Sequence, residues 1–561
     1  MSGAVALADE YWQYHRSTAH MWNIDRGDVD QVEHWEDFSP TGVAARVERL
    51  NGFAQRAEGM TAGDLSDRER TMLGALSFSA SATAATLPFA RDLALVAGPF
   101  NFATFLSVFV PDYALVTRRH GDGYIAKLRS LPSFVDGWIA GLREGVASGR
   151  VATARGVAAV VASFDALLET DLADDPLASQ SPPTEASEAE RDAWRADVLD
   201  AIRDAARPAV ARLRATLHDE VLPAARSDEQ AGICHLPGGV DAYRKLLWAS
   251  TSTDLTPDAV HELGREQLAL LDDEYRAIGP AAIGIDDPAQ VRDLLRTDAA
   301  LRYDTADEII ADAVAALARA EAEAPRWFTR LPSARCAAVA VDAGALAYYT
   351  GPSPDGGRSG TFFVKTADPS AWTRYQLEVT TFHEAIPGHH LQVALALELD
   401  LHPIVGQHEV MSYSEGWGLY AERLADEMSL YSSPLQRLGM LTLDSLRAAR
   451  LVADTGLHAL GWTRDDAITF LVDHTAQRRD NAQQEVDRYI GDPGQATSYM
   501  VGRLEMQRLR REAEDRLGIL FSVRDFHDVV LGNGMTPLGE LARTIHAWID
   551  RQQGPALPDD H

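Results

Sequence analysis

The chain has 561 residues, 46% of them hydrophobic, enough for a large buried core. Its 83 acidic residues outweigh 52 basic ones, for a formal charge of −31. A field of that sign repels phosphate backbones and anionic lipid, so neither nucleic acid nor a membrane is an expected partner.

The first residues, MSGAVALADEYWQYH, lack a basic start followed by an apolar run. No stretch approaches about 18 consecutive apolar residues, so the expectation is a cytoplasmic protein without a membrane span. Most of the chain reads as helix, as in GVAARVERLNGFAQRA (42–57) and VRDLLRTDAALR (291–302), where apolar residues recur at three- and four-residue spacing. The acidic stretch 171–194, carrying Ser, Pro and Thr, reads as an exposed loop between two helical parts. It marks a domain boundary or a lobe connection within one 1–561 unit. Two cysteines, Cys234 and Cys336, cannot build a disulfide framework and sit in no metal-knuckle context. Thr256-Pro257-Asp258 and Thr463 to Asp466 read as capped helix starts, and Asp368-Pro369 as another. Between Cys336 and Pro369 the pattern departs from helix. Two β-prone runs, Ala338–Val341 and Thr361–Lys365, flank a Gly/Pro/Ser/Asp loop. They predict a small sheet just before the key helix, with an edge able to offer backbone groups to an extended peptide.

That helix carries TTFHEAIPGHHLQ at 380–392. A hydrolytic zinc site needs two imidazoles, a third protein ligand and a carboxylate beside an open position. His383-Glu384 fits the short form of such a motif, but Pro387 stands where the second histidine is usual. On a straight helix, residues six or seven apart cannot share one ion. Pro387 has no N–H and clashes with the carbonyl of His383, and Gly388 permits unusual dihedrals. A distortion between Ala385 and Gly388 therefore returns His389 or His390 to the metal, with the other hydrogen-bonding nearby. The bland alternative is a helix–proline–helix junction with capping histidines. Three histidines and a glutamate within eight residues favour the metal.

Glu415, in MSYSEGWGLYAE, is the expected third ligand, 26 residues after His389, with small residues at 416 and 418 allowing close helix approach. Glu422, seven residues on, reads as structural. Arg450, Asp454 and His458 are spaced i, i+4, i+8, as a salt-bridge ladder or as groups that orient a zinc ligand or bind a substrate carboxylate. Tyr499 and Arg503 share a helix face; a tyrosine hydroxyl can stabilise an oxyanion and an arginine can grip a peptide carboxylate.

HEAIPGHHLQ (383–392), SEGWGLYAE (414–422), RLVADTGLHALGW (450–462), EVDRYIGDPGQATSYMVGR (485–503) and GRSGTFFV (357–364) resemble the bacterial domain-of-unknown-function 885 family. That family is similar to gluzincin-type helical zinc metallopeptidases, which use two histidines and a distant glutamate. The resemblance implies a mainly α, large two-lobed zincin-like fold, with a small β-sheet beside the active-site helix and the catalytic part at about 336–520. In related enzymes a glycine precedes the second ligand, which favours His389. The expected chemistry is zinc-dependent hydrolysis of short peptides. His383, His389 or His390 and Glu415 hold Zn²⁺, and Glu384 acts as general base. Tyr499 or His458 serves the oxyanion, and Arg450 or Arg503 the substrate. Two alternatives are a non-haem iron oxygenase and a non-catalytic peptide-binding protein whose site Pro387 has degraded.

Overall fold

A computed structural model describes residues 2–18, 32–60, 65–89, 101–353 and 358–553. The fold is mainly α with one three-stranded sheet, as the sequence led one to expect. Residues 354–357, including Gly357 of the GRSGTFFV patch, lie outside the described residues.

The 42–57 periodicity is realised in the helix Pro40–Met60, which buries Val43, Leu50, Phe53, Ala54 and Ala57 on one face. With the helices Gly3–Thr18 and Asp67–Phe89 it encloses a small separate core, to which Ile404 and Val405 from the second half of the chain also belong. Among the described residues, Asp67–Phe89 is the one helix long and apolar enough to cross a membrane by composition, with a mean hydropathy of 1.2. Leu73, Leu76 and Ala80 on it are fully buried in that core, and a core helix meets the same compositional test.

The remaining apolar side chains form one extended core. The stretch 171–194, read from sequence as an exposed loop, keeps about half of its residues exposed but is anchored to this core at several points. Leu177 and Trp194 are buried in the same cluster as Phe164 before them and Val198 after them. Trp194 Nε1 donates to Gly121 O at 3.0 Å, and Tyr124 Oη donates to Leu177 O at 2.7 Å. Buried Asp175 pairs with Arg207 at 2.8 Å. Two expected helix starts are found: Thr256 caps Ala259 N, and Thr463 with Asp466 forms a capping box. Asp368 differs. It caps only the 3₁₀ turn Pro369–Ala371, and the motif helix starts later, at Leu377.

The sheet consists of β1 (Cys336–Val341), β2 (Ala347–Thr350) and β3 (Gly360–Lys365) in the order β1-β3-β2. The two expected strands pair in parallel, Cys336 opposite Gly360. The tyrosine-bearing β2, which the sequence had left inside the loop, pairs antiparallel on the other side of β3. Central β3 buries Phe362 and Val364 completely.

Five helices frame the candidate site residues of the second half: Leu377–Glu384, His389–Glu398, Met411–Glu427, Pro434–His458 and Ser498–Leu517. Two of them cross almost backbone to backbone. A Cβ on Gly502 would lie 1.9 Å from Ser412 O, and one on Gly416 would lie 2.6 Å from Gly502 Cα. The small residue expected at 416 thus lets Ser498–Leu517 lie directly against the helix bearing Glu415.

Candidate metal centre

The helix Leu377–Glu384 ends one residue after His383. Ala385 leaves helical geometry at φ −105°, ψ −110°, Ile386–Pro387 is a cis peptide, and Gly388 sits at φ −82°, ψ −130° before the helix resumes at His389. The expected distortion between Ala385 and Gly388 is present. Gly388 is needed because a Cβ there would lie 1.9 Å from the carbonyl oxygen of His383. Trp417 Nε1 pins the bend by donating to Pro387 O at 3.0 Å and Gly388 O at 3.3 Å. The result brings two histidines six apart in sequence into edge-to-face contact, ring centroids 4.7 Å apart.

Glu415, on Met411–Glu427, reaches between them. Its Oε2 lies 3.4 Å from His383 Nε2 and 3.6 Å from His389 Nε2. One ligand atom from each of the three residues falls within 4.8 Å of the other two. Yet Oε2 of Glu415 is buried without a hydrogen-bond partner among the described residues. Three donors facing one another at such spacing match ligands about 2.0–2.1 Å from a tetrahedral ion, which stand roughly 3.3 Å apart. The donor set, two imidazoles and one carboxylate, therefore fits zinc.

His383 Nδ1 donates to Glu422 Oε1 at 2.8 Å, which fixes the ring and turns Nε2 toward Glu415. Glu422 is completely buried, and Arg447 Nη2 stands 3.6 Å from its Oε1. A Cβ on residue 418 would lie 2.5 Å from His383 Cε1, so Gly418 makes room for the imidazole. Burial alone would lower the His383 pKa, but the carboxylates of Glu415 and Glu422 outweigh it and raise it to about 10. His389 is raised for the same reason, burial being overcome by Glu415. Burial works against ionised Glu415 too, but the two histidines hold its carboxyl well below the usual range.

Glu384 follows His383 directly and is half-buried. It has no hydrogen bond or ion pair among the described residues, and its charge is felt by both histidines. The site meets solvent here, for the His389 and Glu415 side chains keep 15% and 16% exposure. Tyr499 is close by on Ser498–Leu517. Burial, and then the charge of Glu415, push its hydroxyl up to about 12.

Other expected site residues lie elsewhere. His390 is completely buried, its Nδ1 bonded to Tyr349 Oη on β2 at 2.9 Å and its Nε2 to Ala334 O at 3.0 Å. With both nitrogens engaged it locks the helix to the sheet and is no ligand. His458 accepts from Ile233 N at 3.2 Å and donates to Tyr489 O at 3.0 Å. It is structural, and burial pushes its pKa down to about 3. Arg503 is buried against Asp444, with Nη1 to Oδ1 at 2.6 Å, and cannot reach a substrate. Asp454 bonds Tyr243 Oη and Gly494 N. The ladder of Arg450, Asp454 and His458 is thus a set of three separate anchors, with Arg450 paired to Glu485 at 2.9 Å and lying 4.9 Å over the Tyr499 ring. Sequence reasoning understated Glu422 and missed Arg447. The seven-residue step from Glu415 to Glu422, two turns along one face, was the available signal for the former.

The model of the family described as "Bacterial protein of unknown function (DUF885)" matches residues 21–545. No curated protein matches the sequence. The crystal structure of the "putative lipoprotein" from Colwellia psychrerythraea is similar at 23% identity and a TM-score of 0.87, covering 98% of this chain and 100% of that one. A "putative lipoprotein of unknown function" from Shewanella oneidensis is similar at 16% identity and a TM-score of 0.76, covering 97% and 100%. A structure called "putative Oligoendopeptidase F" reaches 14% identity and a TM-score of 0.37 over 91% and 97%, too slight a likeness to argue from. The two lipoprotein names overturn the expected cytoplasmic location, which is withdrawn. With the family model spanning nearly its whole length, the chain belongs to the bacterial family of unknown function DUF885.

Proposed function

We propose that the chain is a zinc-dependent metallohydrolase that cleaves short peptides. The observation that supports this reading is the convergence of His383, His389 and Glu415 on one point, with the buried Glu415 Oε2 lacking a hydrogen-bond partner among the described residues. Burying a carboxylate oxygen without a hydrogen bond is costly, and a cation held between it and two neutral imidazoles would replace the charge that the protonated histidines otherwise supply. His383 and His389 would hold the ion as neutral imidazoles and Glu415 as a carboxylate. Zinc bound there supplies Lewis acidity to a water molecule and to the carbonyl oxygen of a substrate.

The protein's own groups do the rest. Glu422 fixes the His383 tautomer by accepting from Nδ1. Glu384, with no hydrogen bond or ion pair among the described residues, takes a proton from the attacking water and returns it to the leaving amine. Tyr499, whose hydroxyl stays protonated at neutral pH, donates to the oxygen on which negative charge collects. Glu384→Gln is expected to keep bound zinc and lose roughly 10²–10⁴-fold in kcat against short peptides. Unchanged kcat in that variant contradicts the role given to Glu384.

A further inference from the structure

Beside the metal-ligating cluster lies a group of cations that the hydrolytic chemistry leaves unused. Arg447 is 9% exposed, yet its guanidinium makes no hydrogen bond among the described residues, and its Nε is buried without a partner. Its one ion contact among the described residues is the 3.6 Å approach to Glu422, whose Oε1 already accepts from His383. Arg450 is one helical turn further along Pro434–His458. The two guanidinium carbons stand 5.9 Å and 4.9 Å from the centre of the Tyr499 ring. A third arginine, Arg488, shares Glu485 with Arg450, at 3.2 Å and 2.9 Å. Glu485 is thus shared by Arg450 and Arg488, and Glu422 is committed to His383, which leaves Arg447 without a carboxylate of its own among the described residues. The Arg447 guanidinium also adjoins Tyr499, whose hydroxyl is influenced by the charge of Glu415.

A buried guanidinium has five donors, and leaving them unpaired costs more than leaving a neutral group unpaired. An anion arriving with the substrate satisfies them, and a carboxylate matches their fork geometry. Resting on the peptidase reading, we propose that Arg447, supported by Arg450, binds a carboxylate of the substrate close to the bond that is cut. This gives to Arg447 the role that the sequence suggested for Arg503.

A carboxylate of that kind is either the peptide's free C-terminus or an acidic side chain, and the substrate itself distinguishes them. The zinc-loaded full chain is assayed with Ala-Ala-Ala, Ala-Ala-Ala-amide and Ala-Ala-Asp-amide. Binding of the same three is measured by calorimetry on Glu384→Gln. The expected result is kcat/KM and affinity at least about tenfold higher for a carboxylate-bearing peptide than for the plain amide. Preference for Ala-Ala-Ala assigns the C-terminus, and preference for Ala-Ala-Asp-amide assigns a side chain. In Arg447→Gln the ratio of kcat/KM for the carboxylate-bearing peptide to that for the plain amide falls toward one. Equal handling of all three peptides by the wild type overturns the carboxylate site and leaves the peptidase reading standing. Neither binding nor hydrolysis of any of them overturns both. An equal loss on every substrate in Arg447→Gln makes the arginine a support of Glu422 and overturns its binding role. The wild-type comparison holds even where the variant does not fold, and Arg447→Lys then provides a charge-retaining second variant.

Discussion

Two carboxylates divide the nitrogens of His383 between them. Glu422 accepts a hydrogen bond from Nδ1 and Glu415 faces Nε2. Only the second can share an ion with the ring, so the two glutamates, seven residues apart on one helix, have different tasks. Glu422→Gln keeps the size of the side chain but not its charge, and its amide can present either an acceptor or a donor to Nδ1. The expected outcome is a loss of zinc affinity of roughly 10–100-fold, measured by competition with a chelator of known affinity, with the fold retained. Affinity equal to wild type would show that Glu422 only fills space. At this scale the sequence was partly legible. His383, Glu384, His389 and Glu415 were marked by residue type and spacing. His390 was not separable from His389, because which of two adjacent histidines faces the ion depends on the phase in which the second helix resumes. Arg503 was misread because its partner, Asp444, lies 59 positions away and nothing local announces it.

At the scale of elements, the bend at 385–388 makes the site. A continuous helix would place residues six apart on different sides. The break rotates His389 back toward His383, and Gly388 and Trp417 hold it there, through close backbone approach and two indole hydrogen bonds respectively. Gly388→Ala puts a methyl group where the His383 carbonyl oxygen stands. It is expected to displace the two histidines and weaken zinc binding on the order of tenfold or more, with helical content by circular dichroism nearly unchanged. Full zinc affinity in this variant would contradict the role of the bend. The proline and glycine announced this distortion in the sequence because their backbone rules are local. The sheet was less legible. Strand propensity located β1 and β3, but the pairing of parallel neighbours is decided by connections and burial, and the sequence did not reveal the direction. β2 was overlooked inside a turn-rich stretch, although its Tyr349 fixes His390.

Over the whole molecule, separate parts of the core are joined through buried neutral histidines. His458 ties the long helix to Ile233 and Tyr489, and His527 ties Trp327 to Tyr420. Burial pushes both pKa values down to about 3. The unfolded chain takes up these protons near the ordinary histidine value of about 6.5, and the folded one does not until about pH 3. Their contribution to stability is therefore complete above pH 6.5 and is lost as pH falls through that window. Asp454, raised to about 7 by burial, and Asp492, also raised by burial, act in the opposite sense, but burial lowers His261, His390, His402 and His474 as well. The melting temperature is expected to fall on acidification from pH 6.5 to 4, and His458→Gln to flatten that dependence. An unchanged slope in the variant would show that His458 is not held neutral. The helical class of the fold was legible because periodicity is local. The docking of 171–194 was not, since its composition is that of a surface loop and the core it joins is assembled from distant segments.

The proposed function rests on one ion held by three side chains from two sequence regions, and the most direct measurement is elemental mass spectrometry of the purified chain, wild type beside Glu415→Ala, after exposure to zinc and removal of the excess. The expected result is close to one zinc ion per wild-type chain and none in the variant. Zinc absent from the wild type, or retained equally by Glu415→Ala, would contradict a metal centre formed by His383, His389 and Glu415.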